Sequence, residues 1–282
     1  MRRFMKHWKV CLLLALAALL CGCGKTENPE NPYRIKTQIL ESYQEEDTQT
    51  ITTEYRYNEQ GYLTQLQTFN GSALWYTRQF SLDAQGNSLG SEVQYADGTR
   101  TGEKGLTFDK QGRMLTSESY QNDQVTATTE YGYSKAGQVI KLYINRIDAL
   151  GADDLKSYID TTYDQKGNLL RQDIRWEPTG MKEYTLYFYE KGRLLKTESY
   201  AEEVLDYYSE YTYDETGLVQ TAIERNADGT LQSKHITTFD EFGNPLEIIA
   251  YAYGSELARF GRIDEEPDSR TVNVYEKKGV EP

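Results

Sequence analysis

The sequence predicts an all-β fold: an antiparallel meander of about eight tandem β-hairpin repeats of ~25 residues, forming one long twisted or spiralling sheet. Three observations predict it: a strand–turn unit recurs eight times, its period is nearly constant, and a second turn signal falls within most repeats. The unit is clearest in Tyr211-Thr-Tyr-Asp-Glu-Thr-Gly217. Tyr211 and Tyr213 are two apart and share one face of a strand. Asp214 then opens a turn that Gly217 ends.

The period of the repeat is read from the glycine that ends each of these turns. Successive glycines are separated by 25, 26, 25, 30, 25, 25 and 26 residues. A glycine at this position supplies the positive φ of a bulged hairpin turn. The eight structural turn glycines are Gly61, Gly86, Gly112, Gly137, Gly167, Gly192, Gly217 and Gly243.

In most repeats a second turn signal, such as Asn70-Gly71 or Asp228-Gly229, follows the first turn by 10 to 13 residues and divides the repeat into two strands of about seven to nine residues. Aromatic and aliphatic residues four and six positions before each glycine form an apolar stripe on one face. In the sixth repeat, Leu186 and Phe188 hold these positions. There the sequence Tyr189-Glu-Lys-Gly192 predicts a turn shorter by one residue.

These residues resemble the YD or Rhs repeat family, whose repeats combine an aromatic residue, a Tyr-Asp-x-x-Gly core and a following leucine. Tyr163-Asp-Gln-Lys-Gly-Asn-Leu169 and Tyr213-Asp-Glu-Thr-Gly-Leu-Val219 match this pattern best, and the resemblance covers about residues 51 to 253. Large members of that family form a spiralling shell around a toxin. The resemblance implies the hairpin-repeat architecture but not the toxin role, because no segment here is similar to the effector.

The N-terminus is typical of an exported, lipid-modified protein. Basic residues precede an apolar run from Val10 to Leu20, which predicts a signal peptide at residues 1–22. Leu20-Cys21-Gly22-Cys23 resembles the lipobox of bacterial lipoproteins. The resemblance implies cleavage before Cys23, acylation of that cysteine, and an extracytoplasmic location. The anchor would lie on the outer face of the plasma membrane or in an outer membrane.

The mature chain is predicted to be a short tether and one β domain. Residues 23–32 are polar and contain proline, as expected of a tether. The β domain covers 33–282, with repeats at about 51–253 and caps at 33–50 and 254–282. Loss of residues 1–22, which hold four basic and no acidic residues, lowers the net charge from −13 to −17. So acidic a chain excludes nucleic acid as an expected partner.

The residues that usually carry catalysis are scarce. His235 is the one histidine left after removal of the signal peptide, and no free thiol remains once Cys23 is acylated. Multi-histidine metal sites and cysteine nucleophiles are therefore excluded, and we expect no cofactor and no enzymatic activity. A weak metal-binding alternative, for Ca²⁺, rests on Asp148, Asp153 and Asp154 in the longest repeat.

Aromatic residues outside the repeat motif suggest a second alternative. Rings with polar edges suit wet binding surfaces and can stack on sugars, although packing on neighbouring strands explains them equally. The candidates are Trp75, Trp176, Tyr158, Tyr187 and Tyr208. The sequence thus predicts a lipid-anchored binding or scaffold module for an unidentified protein or envelope partner. The alternatives are a carbohydrate- or cell-wall-binding module and, third, a glycan-acting hydrolase.

Overall fold

The computed structural model of the protein describes residues 32–44, 47–147, 155–177, 179–253 and 267–278. In these residues it has eighteen β-strands and no helix long and apolar enough to cross a membrane. The strands are β1 Tyr33–Gln44, β2 Asp47–Tyr57, β3 Leu63–Asn70, β4 Ala73–Leu82, β5 Ser88–Tyr95, β6 Arg100–Phe108, β7 Met114–Gln121, β8 Gln124–Tyr133, β9 Val139–Arg146, β10 Leu155–Tyr163, β11 Leu169–Glu177, β12 Lys182–Glu190, β13 Arg193–Ala201, β14 Val204–Tyr213, β15 Val219–Asn226, β16 Leu231–Phe239, β17 Pro245–Ala252 and β18 Ser269–Lys277.

The sheet is a closed antiparallel barrel. Each strand pairs with its neighbours in sequence, and β18 pairs with β1 to complete the ring. The all-β class and the meander agree with the prediction, but the prediction of one long twisted or spiralling sheet is wrong, because the sheet is closed. An even-numbered up-and-down meander whose first and last strands pair has no free edge.

Closure depends on the two segments that lack the repeat motif. The ladder between β1 and β18 runs from Tyr33 opposite Lys277 to Ser42 opposite Ser269. The repeat encodes a strand, a turn and a strand, all of which are local. It carries no signal for the pairing of strands that lie more than 200 residues apart, so the sequence period does not distinguish an open sheet from a barrel.

The eight repeat turns all lie at one end of the barrel, which we call the glycine rim. Each follows an even-numbered strand, and their glycines have φ between +76° and +90°. In the turn opened by Asp164, the carboxylate accepts the backbone N–H groups of Lys166 and Asn168, both at 2.8 Å. β1 starts and β18 ends at this rim, because every even-numbered strand of the meander ends there and every odd-numbered strand starts there.

A β-bulge follows most of these turns, three residues after the glycine. Thr162 pairs with Arg171 and Tyr163 pairs with Leu169, so Leu170 is the extra residue. Leu115 and Leu195 occupy the same position after their own turns. Bulges increase local twist and bend a strand, which is how a long meander acquires the curvature needed to close.

Candidate functional site

Strand registers separate the residues of the barrel wall into two faces, because cross-strand partners share a face and neighbours along a strand alternate. The face that carries Tyr55, Tyr131 and Tyr211 contains nearly all of the buried residues, among them Ile159 and Ser117, each 2% exposed. Only a concave surface crowds side chains in this way. It is therefore the inner face.

The barrel has no dry hydrophobic core. Among the described residues only four apolar side chains are buried, whereas nine buried residues are polar. The interior of an eighteen-stranded barrel is too wide for side chains to fill, and barrels of this size enclose water. Both faces of this sheet are accordingly wet.

Charge is divided unequally between the faces. By register, six charged strand residues whose side chains are described point inward, and most of the others point outward. Outward ion pairs recur around the wall, for example Lys196–Glu198 at 2.8 Å and Arg171–Asp173 at 2.6 Å. Such pairs are incompatible with contact to lipid tails. The six inward residues are Arg78, Glu103, Arg146, Glu183, Glu224 and Lys277.

The densest group of aromatic residues on the inner face lies on β10 to β14. Burial raises the pKa of Tyr187 to about 12, with further contributions from neighbouring phenols. Burial also raises the pKa of Tyr211. Both side chains are only partly buried, so part of each ring is accessible from the barrel interior. The phenols around Tyr187 are those of Tyr211, Tyr189, Tyr207 and Tyr163.

Two adjacent rows of the inner face connect this aromatic group to the histidine. One row runs Tyr187, Thr197, Ser209, Glu224, Ser233 across β12 to β16. The next runs Tyr211, Ala222, His235, Ala250 across β14 to β17. Residues in one row are about 5 Å apart per strand. We call these nine residues the candidate wall.

His235 stands in a depression of the candidate wall. Its neighbours in the row are Ala222 and Ala250, whose methyl groups leave the imidazole ring uncovered, and the side chain is exposed. Burial nevertheless lowers the pKa of His235. The two facts agree if water reaches the ring from the interior while protein surrounds it on the remaining sides. The lowered pKa favours the neutral imidazole, which carries one donor and one acceptor.

Glu224 is the one carboxylate of the candidate wall. Burial, and to a lesser degree the charge of Asp206, raises the pKa of Glu224. Its row partners are the small side chains of Ser209 and Ser233. Together with His235, these side chains provide hydroxyl, carboxyl and imidazole groups beside aromatic rings. The arrangement can bind a polar ligand but does not position a nucleophile against a base.

A second set of inner tyrosines has a structural role. Each lies at the end of an even strand and donates its phenol to a backbone carbonyl of the preceding odd strand. An arginine covers three of these rings, with Arg34, Arg113 and Arg193 at 4.2, 4.8 and 5.2 Å from the centroids. The five pairs are Tyr57–Ile35, Tyr133–Met114, Tyr163–Val139, Tyr213–Leu194 and Tyr275–Pro245, at 2.7 to 3.1 Å.

The residues predicted to stack on a ligand do not form one surface. Trp75, Tyr158 and Tyr208 lie on the outer face, where Trp75 is 47% exposed. The ring of Tyr158 packs on Tyr143, with centroids 4.8 Å apart, and Arg175 covers it. By register, Trp176 and Tyr187 face inward.

The stripe predicted in the sixth repeat is shifted by one residue. The turn after β12 has only Lys191 and Gly192, both at positive φ, between the strands. Tyr187 and Tyr189 therefore face inward, and Leu186 and Phe188 face outward. Since side chains alternate with a period of two, shortening a turn by one residue exchanges the faces.

No metal site accompanies these groups. The parts of the chain that the structure describes contain no cluster of three or more His, Cys, Asp or Glu side chains suited to a metal ion. Asp148, Asp153 and Asp154 lie outside the described residues, as does Cys23.

No protein-family model matches the sequence, and no curated protein is significantly similar to it. Solved structures do resemble the fold. A porin-like protein from Bacteroides uniformis is 15% identical with a TM-score of 0.44, covering 89% of this chain and 99% of that one. A porin-like protein from Bacteroides vulgatus is 12% identical with a TM-score of 0.43, covering 86% and 99%.

A third similar structure is the TcdB2-TccC3-Cdc42 complex, at 14% identity and a TM-score of 0.27. That match covers 79% of this chain but only 15% of the other. At these identities and scores, none of the three similarities assigns a function.

Proposed function

We propose that the protein is a lipid-anchored binding module of the cell envelope, and that its ligand binds the inner wall of the barrel. The observation that carries this proposal is the candidate wall: accessible aromatic rings and a neutral imidazole on the inside of a barrel wide enough to hold water. On the outer face, paired charges such as Lys196–Glu198 and Arg171–Asp173 lie between the aromatic side chains.

The anchor part of the proposal is supported by the sequence before the first strand and by the place where that strand begins. The lipobox-like Leu20-Cys21-Gly22-Cys23 lies shortly before β1. Cys23 is ten residues before Tyr33, where β1 starts. Ten residues reach at most about 35 Å. A chain held at Cys23 would keep the glycine rim towards the membrane, and the opposite rim would face away from it.

Anchoring is tested by mass spectrometry of the protein purified from a membrane fraction. We expect a mature N-terminus at Cys23 carrying two or three acyl chains, since one chain alone anchors only marginally. An unmodified Cys23, or a mature chain that starts elsewhere, would overturn this part of the proposal.

Binding by the inner wall is tested with the lipid-bearing protein reconstituted in liposomes and isolated envelope polymers. The inner-wall variant is Tyr187→Ser with Tyr211→Ser. The matched control is Tyr184→Ser with Tyr200→Ser, which removes two stacked outer tyrosines whose centroids are 4.6 Å apart. We expect co-sedimentation with the polymers to be lost in the inner variant and kept in the control. Equal binding by both folded variants would disprove the proposed site.

A further inference from the structure

The ligand class can be narrowed from the chemistry of the candidate wall, an inference that rests on the proposed function. The inner face of β12 to β17 presents rings, hydroxyls and one imidazole, with Glu224 as its charged group besides Glu183. A polyanionic ligand would need several cationic side chains close together on this wall. The inward arginines, Arg78 and Arg146, are on β4 and β9, away from this wall, and the inward Lys277 stands alone at the end of β18, at the glycine rim.

A cationic ligand fits no better. Burial raises the pKa of Glu224 and so disfavours its charged form, and no second carboxylate shares its row of the candidate wall. Arg78 adds a positive charge to the interior and already donates to the Ser91 hydroxyl, at 2.9 Å from Nη2. The candidate wall therefore has one charged side chain and no cluster of either sign, whereas the outer face is rich in both.

Neutral sugars have the complementary pattern. A pyranose ring presents an apolar C–H face and a rim of hydroxyl groups, and each hydroxyl is both donor and acceptor. Tyr187 and Tyr211 offer ring faces for the former. The exposed, neutral imidazole of His235 offers both a donor and an acceptor for the latter.

The depression at His235 suggests where the hydroxyl groups are recognised. Because Ala222 and Ala250 flank the imidazole, a ligand lying on Tyr211 can reach it without displacing a side chain. Tyr211 and His235 are two strands apart, about 10 Å at the usual strand spacing. That separation exceeds one sugar ring and fits a chain of two or more.

We infer that the ligand is an uncharged glycan chain, seated on Tyr187 and Tyr211 with a hydroxyl group bound to His235. Tyr187 and Tyr211 are stacking residues in this arrangement, and His235 determines specificity.

The inference is tested by calorimetric titration of the full-length lipid-bearing protein in detergent with cellohexaose, chitohexaose, maltohexaose and mannohexaose. A hexagalacturonate of the same length serves as the anionic comparison. We expect at least one neutral hexamer to bind and hexagalacturonate not to. For the bound sugar, Tyr187→Ala should weaken affinity by about tenfold or more, equivalent to about 1.4 kcal/mol. His235→Ala should weaken it similarly, and His235→Gln, which keeps a donor and an acceptor, should recover part of the loss. Tyr184→Ala, on the outer face, should change nothing.

The outcomes separate this inference from the proposed function. If no neutral hexamer binds, or hexagalacturonate binds as well, while envelope polymers still require Tyr187 and Tyr211, the ligand class is wrong and the inner-wall function stands. If sugar binding is equally weakened by Tyr184→Ala, the site is wrong. If polymer binding also ignores the inner tyrosines, both proposals fail.

Discussion

The phenol of Tyr213 donates a 3.1 Å hydrogen bond to the carbonyl oxygen of Leu194, joining the end of β14 to the start of β13 at the glycine rim. Tyr208, on the same strand, faces outward beside Lys196 at 5.0 Å. The two tyrosines thus differ in role although both are half-buried. Tyr213 links two neighbouring strands from the inner face, and Tyr208 packs against a lysine amine on the outer surface.

The Tyr213 hydroxyl also accepts a hydrogen bond from Gln220 Nε2 at 2.8 Å. Tyr213→Phe removes both bonds and should lower the free energy of unfolding by about 1–3 kcal/mol, at about 0.5–1.5 kcal/mol for each bond. Tyr208→Phe should be nearly neutral, because a phenyl ring keeps the contact with Lys196. Urea unfolding followed by circular dichroism measures both. Equal effects in the two variants would mean that the Tyr213 hydroxyl is not structural.

A side chain should be harder to accommodate at Gly217 than at Gly112, although both glycines have φ near +77°. A Cβ built on Gly217 meets Arg193 Nη2 at 2.3 Å, whereas one on Gly112 meets nothing within 4 Å. Gly112→Ala should cost about 1 kcal/mol for the left-handed backbone alone. Gly217→Ala should cost about 0.5–1 kcal/mol more, because Arg193 is displaced from the Tyr213 ring.

The extra cost can be isolated with a double-mutant cycle, measured by urea unfolding. In an Arg193→Ala background, Gly217→Ala should cost no more than Gly112→Ala. A difference that persists without Arg193 would show that the contact is not its cause.

The local parts of this fold can be read from the sequence, and the faces and the closure cannot. Asp214 and Gly217 define a turn by their own backbone requirements, so spacing is sufficient to find it. The direction of Tyr187 depends on whether the next turn has two residues or more, since one residue changes the face. Which face is concave depends on the curvature of the sheet, and the amino-acid types on the two faces do not identify it.

The histidine shows a second limit. His235 lies on a strand with no catalytic motif near it, and its sequence context predicts an ordinary strand residue. Its exposure results from Ala222 and Ala250, which become its neighbours only once the registers of β15, β16 and β17 are set. No sequence signal would have identified this depression without the pairing of those strands.

Acid should destabilise the glycine rim. Hydrogen bonds from Asn87 hold the pKa of Asp83 below its usual range, and those from Asn168 and from Thr216 do the same for Asp164 and Asp214. A carboxyl with a lowered folded pKa contributes stability above its unfolded pKa of about 3.9, and this stability is lost as the pH falls through the folded value.

We therefore expect the free energy of unfolding, from urea titrations, to decline as the pH falls below about 4. Asn substituted at positions 83, 164 and 214 keeps the oxygen acceptor but cannot titrate. A triple variant should show a shallower decline. A decline of unchanged steepness would assign acid sensitivity to other groups.

Alkaline pH should destabilise the fold through ionisation of the inner tyrosines. Because the folded pKa of Tyr187 is raised from 10 to about 12, its contribution to stability is complete below pH 10 and is lost as the pH rises towards 12. Tyr275 has the same raised value of about 12. Tyr187→Phe with Tyr275→Phe should reduce the loss of stability over this range, and spectrophotometric titration should show fewer late-titrating phenols. An unchanged alkaline transition would contradict the assignment.

Closure by β18 is the feature on which the barrel depends most. A chain truncated after residue 266 lacks the strand that pairs with both β1 and β17, so both would become open edges. Open edges pair with other chains. We expect light scattering after size-exclusion chromatography to show oligomers or aggregates, with a lower urea midpoint. Val274→Thr, which alters an outward side chain that is 43% exposed but keeps the strand, is the matched control and should stay monomeric. A truncated chain that remains monomeric with an unchanged midpoint would show that the sheet does not need closure, since its stability would then be independent of the pairing between β1 and β18.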